Sequence, residues 1–187
     1  DRTYYTKYKR KTSLSGTGPV EFLISGSAEE YINLSESFLD VTVKVTKGDG
    51  SPLTLDNRVG PVNYFMHSLF SRVDLMLNNV LVSNSNNTYA HRAFFEALLH
   101  YGRDAKESHL TQALYYKDTS THIEDLDPID GGNEGLKKRG EFATMSKRCR
   151  MRGRLHLDLF QQPKLLVSGV DVGLNLIRQN NSSFALV

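Results

Sequence analysis

A single cysteine, Cys149, stands in this chain of 187 residues. That scarcity excludes an internal disulfide and any cysteine-based zinc site. No apolar run approaches the ~20 residues that a membrane-spanning helix needs. The opening DRTYYTKYKRK is basic and tyrosine-rich but has no apolar segment behind it, so it does not read as a secretory signal. There is no GxSxG elbow and no glycine-rich phosphate loop between a strand and a helix. His67, His91, His100, His109, His122 and His156 show no metal-ligand spacing on one face. These gaps point away from catalysis, metal binding and cofactors, and none of the three is expected. The net charge of +2 is too small for bulk electrostatics to mark a nucleic-acid binder.

What is present is an ordinary globular balance, 39% hydrophobic and 24% charged. Folding a chain of this length removes roughly 70% of its extended surface from water, enough for one domain with its own core. Residues 1–18 read as an arm. Arg2, Lys7, Lys9, Arg10 and Lys11 interleave there with Tyr4, Tyr5 and Tyr8, and SGTG closes it. The missing initiator Met and the apolar ending SSFALV suggest a piece of a longer polypeptide. Residues 19–187 form the expected domain.

Strand patterning dominates it. PVEFLIS places Val20, Phe22 and Ile24 at alternate positions, and FLDVTVKVT does the same with Leu39, Val41, Val43 and Val45. Period two means one face buried and one wet. RVDLMLNNVLV reads as a hairpin, because asparagine tolerates the positive φ that a tight Asn78-Asn79 turn requires. VDVGLNLIR alternates Val170, Val172, Leu174 and Leu176, and FALV starts a further strand.

The period switches to that of a helix in NTYAHRAFFEALLHYG. Ala90, Ala93, Phe94, Ala97, Leu98 and Tyr101 fall on one face, Asn87 or Thr88 can cap its start, and Gly102 can end it. A weaker helix runs through ESHLTQALYY. THIEDLDPIDGGNEG reads as an acidic loop whose Glu124, Asp125, Asp127, Asp130 and Glu134 miss the spacing of a calcium loop. The expected fold class is mainly β, an antiparallel β-sandwich with one or two inserted helices.

The stretch KRCRMRGRLHL sets Arg148, Arg150, Arg152 and Arg154 at every second position. Alternate strand side chains sit ~7 Å apart. Unit charges at that separation in water repel by only ~0.6 kcal/mol, so a wet strand face can carry the row without acidic partners. Cys149, Met151 and Leu155 then face the core, and Gly153 marks a bulge or a close backbone approach. Four surroundings stay open for the arginines: the acidic loop 124–134 folded back, carboxylates of a neighbouring subunit, phosphates of a nucleic acid, or solvent. Lys137, Lys138 and Arg139 would add charge to the same candidate subunit- or polyanion-facing surface. No aromatic residue alternates with these arginines to stack on bases.

Several segments together carry a resemblance. They are GPVNYFMHSLFSRVDLMLN at 60–78, SNNTYAHRAFFEALLHYG at 85–102 and KESHLTQALYYKD at 106–118, followed by KKRGEFATMSK, GRLHLDLFQQPKLLVSGVDVGLNLIR and SSFALV. The chain from Val20 onward resembles the major capsid proteins of Polinton (Maverick) elements and adintoviruses. Arg72, Ala90 and His91 depart from that pattern at positions expected on variable surfaces. The resemblance implies a hexon-like double jelly roll, of which residues 19–187 would be the first of two. It implies a structural protein of a DNA virus without enzymatic activity, a homotrimer forming pseudo-hexagonal capsomers of an icosahedral shell. It also implies assembly inside the host cell, and neighbouring capsomers and penton or minor capsid proteins as partners. Contact with nucleic acid would be at most indirect. Alternatives are a single jelly-roll binding module, recognising glycan, receptor or nucleic acid, and a minor capsid protein.

Overall fold

Period-two patterning becomes antiparallel pairing in the computed structural model, which describes residues 2–13, 18–83, 86–179 and 185–186. In chain order the strands are β1 (Val20–Ile24), β2 (Leu39–Val43), β3 (Gly60–Pro61), β4 (Phe70–Leu77), β5 (Val80–Ser83), β6 (Cys149–Gly153), β7 (Val172–Arg178) and β8 (Ala185–Leu186). The helices are α1 (Phe65–Ser68), α2 (Tyr89–His100), α3 (Arg103–Glu107) and α4 (Glu134–Ala143), and the described residues also contain four short 3₁₀ turns. One sheet has the order β1-β7-β4-β5, β2 pairs with β6, and β3 pairs with β8. Every one of these pairings is antiparallel.

Asn78 and Asn79 turn the chain between β4 and β5 with φ of 48° and 66°. Those are the left-handed angles a two-residue hairpin turn demands. Val73, Leu75, Val172, Leu174 and Leu176 line the inner face of the four-stranded sheet. Each such side chain contributes about 1.5–3 kcal/mol by leaving water. Tyr89, Leu155, Leu157 and Phe160 close over them. A second cluster joins Phe65 and Met66 to Ala93, Ala97, Leu110, Ala113, Leu114, Cys149 and Met151. Leu39 and Val41 of β2 pack against both clusters, so the alternating aliphatics read from the sequence are the seam of the molecule.

Helices occupy a share of the chain comparable to the strands, more than the one or two insertions expected. The segment read as a loop through Gly135 ends earlier. Asn133 caps α4, its side-chain oxygen accepting from the Leu136 N–H at 3.2 Å. The two glycines in EGLKKRGEFA hide this helix from propensity reasoning. At Gly135 a Cβ would stand 2.5 Å from the Lys117 carbonyl oxygen, so helix and loop approach too closely for a side chain. The face of α2 is also rotated from the expected one. Tyr89, Ala93 and Ala97 are buried, whereas Leu98 is exposed and Phe95 and Leu99 point outward beside it. Gly102 does not end α2 in a left-handed conformation; it precedes α3 with φ −71°. ESHLTQALYY divides between the end of α3 and a 3₁₀ turn at His109–Ala113.

The arm, over residues 2–13, forms no helix or strand and is largely exposed. The Lys11 N–H donates to the Glu21 carbonyl at 2.7 Å, which lays the arm along β1. Asn180–Phe184 and Val187 lie outside the described residues, and with them part of the terminal FALV segment; its Ala185–Leu186 portion forms β8 against Gly60–Pro61.

Candidate functional site

The arginine stretch folds as its alternation requires. Cys149, Met151 and Leu155 are buried, and Arg148, Arg150, Arg152 and Arg154 are exposed. Burial pushes the Cys149 thiol pKa up. Gly153 marks neither a bulge nor a backbone approach: the β2–β6 register is unbroken, and a Cβ there would meet side chains, with Met66 Cε at 3.2 Å.

The wet face of the β2–β6 pair has its own organisation. Asp40 sits opposite Arg152 in the register and serves two guanidinium groups, Arg150 at 3.6 Å and Arg152 at 3.9 Å. Arg154 donates to both oxygens of Glu36, at 3.0 and 3.1 Å. Between them stands Phe38, which is 40% exposed. Arg152 Cζ lies 4.7 Å and Arg154 Cζ 5.6 Å from its ring centroid. The arm delivers a second ring, Tyr5, 6.4 Å from Phe38. No aromatic alternates with the arginines along the chain, because both rings arrive from other segments.

The acidic loop does not cover this face. Asp127 and Asp130 bind Arg58, Asp125 accepts from the Asp127 and Gly132 N–H groups, and Glu134 pairs with Lys137. Its carboxylates are thus largely committed to neighbours within and beside the loop.

Arg139 does not belong to the outward basic surface. It lies on the inner side of α4, with 3% of its side chain exposed. Nε donates to the Pro61 carbonyl and Nη1 to the Tyr116 carbonyl, both at 2.9 Å, and Nη2 reaches Asp118 at 2.8 Å. A buried guanidinium needs acceptors of this kind, and here each of its three nitrogens has one. The KKR triplet therefore splits, because helical geometry sends adjacent residues in different directions. Lys138 is exposed, and Lys137 bonds Glu134 one turn earlier. A shallow cleft lined by Asn63, Asp118, Ile123, Leu126, Leu136 and Arg139 opens above this node.

A third cluster had no signal in the sequence. His156 bonds the Glu96 carboxylate through Nδ1 at 2.7 Å and the Tyr64 hydroxyl through Nε2 at 2.9 Å. The Tyr89 hydroxyl accepts from the His156 backbone N–H at 3.4 Å and pairs with His67 Nδ1 at 3.0 Å. Arg92 donates to Glu96 at 2.7 Å and to Asp158 at 2.6 Å. Gln161 also donates to Glu96. Burial pushes the Glu96 carboxyl up, but the hydrogen bonds from His156 and Arg92 outweigh it and its pKa falls to about 2. Burial, with His156 adjacent, holds His67 well below the usual histidine value. Burial likewise raises the Tyr64 and Tyr89 hydroxyls. Both tyrosines and both histidines are sealed from water. The arrangement fastens α1, α2 and the 156–161 segment together. Its eight members run from Tyr64 to Gln161, so no spacing could reveal it. Among the described residues, no group of three or more His, Cys, Asp or Glu side chains is disposed to hold a metal. No described helix is long and apolar enough to cross a membrane.

No family model matches the chain. It is 30% identical, over 189 aligned residues, to an uncharacterized protein of Caenorhabditis elegans. That similarity covers 97% of this chain and 42% of the worm protein, so the chain spans about two fifths of the curated relative it matches.

Proposed function

We propose that the chain is part of a structural capsid protein whose work is self-association, as its resemblance to Polinton and adintovirus major capsid proteins implies. In this reading the four-stranded sheet and the β2–β6 pair are the two layers of a jelly roll. The packing of Leu39 and Val41 against the cluster of Val73, Leu75, Val172, Leu174 and Leu176 supports that assignment. Three copies would form a capsomer, and the finished molecule would reside in a virion shell.

The observation that carries the reading is surface. The chain exposes 11689 Å². A compact monomer of its 21.1 kDa exposes about 9,000 Å². The draped arm supplies part of the excess. Exposed apolar side chains supply another part, among them Val80, Leu81 and Val82 on β5 and Phe95, Leu98 and Leu99 on α2. Obligate subunit contacts bury about 2,000 Å² or more, counted over both partners, so a chain that enters one gives up about 1,000 Å² or more of such surface. A rigid β-framework offering fixed edges suits closed cyclic assembly.

Sedimentation velocity over a concentration series, on this chain and on the longer polypeptide, tests the proposal. Trimers of the longer polypeptide, with hexagonal outlines by negative-stain microscopy, are expected. A polypeptide that stays monomeric at every concentration would overturn it.

A further inference from the structure

We propose that the outer face of the β2–β6 pair, completed by Phe38 and by Tyr5 of the arm, is a binding site for single-stranded nucleic acid. The proposal goes beyond the capsid reading and does not require self-association.

Charge is the first argument. Arg148, Arg150, Arg152, Arg154 and Lys44 all project from this face and are exposed. They face two carboxylates, Asp40 and Glu36. Arg148 has no acidic partner among the described residues. Asp40 divides itself between two guanidinium groups at separations too long for strong hydrogen bonds, so both retain donors for a phosphate. A chain of net charge +2 thus places five of its 23 Lys and Arg residues on one strip.

Spacing is the second. Alternate strand positions repeat every ~6.7 Å, so the row from Arg148 to Arg154 spans ~20 Å. An extended, unstacked polynucleotide presents phosphates at a comparable interval. A duplex groove takes a helix or a free two-stranded ribbon, whereas the β2–β6 pair is held against the core by Leu39, Val41 and Met151.

The third argument is aromatic. Single-strand binders combine a basic track with rings on which bases stack. Phe38 and Tyr5 stand 6.4 Å apart beside the row, and both are exposed. The guanidinium groups of Arg152 and Arg154 lie over Phe38. Contact with the ring holds both guanidinium groups beside the row, and a guanidinium plane is itself a platform for a base. An acidic protein segment would use the charges but not the rings. The chain's own acidic loop is largely engaged elsewhere, with Asp127 and Asp130 on Arg58, which weakens the case for a second copy as occupant.

Fluorescence anisotropy with labelled oligothymidylate, against a duplex of equal length, tests the site across a salt series. Preferential binding of the single strand is expected. The affinity should fall with salt at a log–log slope of about −2 to −3, the signature of three to four phosphate contacts. Arg150→Gln with Arg152→Gln should flatten the slope by about 1.4. Phe38→Ala should weaken binding about 10-fold and leave the slope unchanged, which separates stacking from charge. Circular dichroism of both variants checks that the exposed substitutions leave the fold intact. No binding at low salt overturns the proposal, and so does binding indifferent to both variants. If the arginine pair instead alters sedimentation while no oligonucleotide binds, the row is a subunit contact and the proposal is wrong, while the capsid reading stands.

Discussion

The guanidinium of Arg139 meets the Asp118 carboxylate at 2.8 Å on the inner side of α4, with nearly all of its side chain buried. The same group spans the Pro61 and Tyr116 carbonyls. Asn63 donates to the Tyr116 carbonyl as well, at 2.7 Å, and reaches Asp118 at 3.3 Å. One side chain thus ties α4 to β3 and to the 116–118 segment.

Removing one partner of a buried pair leaves the other uncompensated. Arg139→Ala should lower the unfolding free energy by about 3–5 kcal/mol. Arg139→Lys should recover little of it, because a single ammonium cannot reproduce a planar fork aimed at three acceptors. Urea denaturation of the three proteins checks both statements. Equal stability of the Lys variant and the parent would show that charge alone matters there.

His67 makes stability sensitive to mild acid. Its pKa in the folded chain lies well below the ordinary 6.5, through burial first and the nearby His156 second. Its Nε2 has no hydrogen-bond partner among the described residues. The unfolded state therefore binds the proton first. The folded state loses ground as pH falls below about 6.5, by up to ~1.4 kcal/mol per pH unit. Glu96, also depressed, adds a second loss at lower pH, from its ordinary 4.5 down towards 2. Tyr64, Tyr89, His156, Arg92 and Asp158 surround the two groups. His67→Asn can keep an acceptor for the Tyr89 hydroxyl but cannot titrate. It should flatten the decline between pH 6.5 and 5, read from urea midpoints at each pH. An unchanged decline would remove His67 as its source.

What the sequence disclosed follows from the range of each interaction. Alternation at Leu39–Val45 and Cys149–Leu155 is a local property, and the structure realises both. Turn chemistry at Asn78-Asn79 is local too. The α4 helix was hidden because its glycines serve contacts with distant segments, Lys117 among them. The inward turn of Arg139 is not legible in the sequence, because a run of basic residues does not say which member turns inward. Phe38 and Tyr5 reach the arginines only through pairing of β2 with β6 and the path of the arm. The Tyr64–His156–Glu96 chain joins residues from three segments. The arginine half of the candidate site was legible in one stretch, whereas its aromatic half depended on long-range topology.

The hairpin turn offers a cleaner backbone test. Asn78 and Asn79 adopt positive φ without glycine's freedom. Asn79→Gly should be neutral or stabilising by a few tenths of a kcal/mol, because Asn-Gly is the preferred pair for such a turn. Asn79→Val should cost about 1–2 kcal/mol, since a β-branched residue is strained there. Thermal unfolding of the two variants should bracket the parent. A Val variant as stable as the parent would mean that the turn relaxes to another type.

Strand β5 carries the last prediction. It is one edge of the four-stranded sheet, while the arm runs along the opposite edge strand, β1. Val80, Leu81 and Val82 are consecutive, apolar and exposed, with Val80 at 64%. Edges are usually blunted by charge, proline or a bulge. Here the ladder shifts register between Leu75 and Met76, but no charge interrupts the apolar residues beyond it. If β5 is a subunit contact, Leu81→Lys should shift the sedimentation distribution of the assembling polypeptide towards smaller species. The substitution removes no buried side chain, so the unfolding free energy should stay within about 0.5 kcal/mol of the parent. A loss of assembly with unchanged stability would locate an interface on this edge. Unchanged assembly would move the contact to the exposed face of α2, where Leu99→Lys repeats the measurement at a side chain that is 73% exposed.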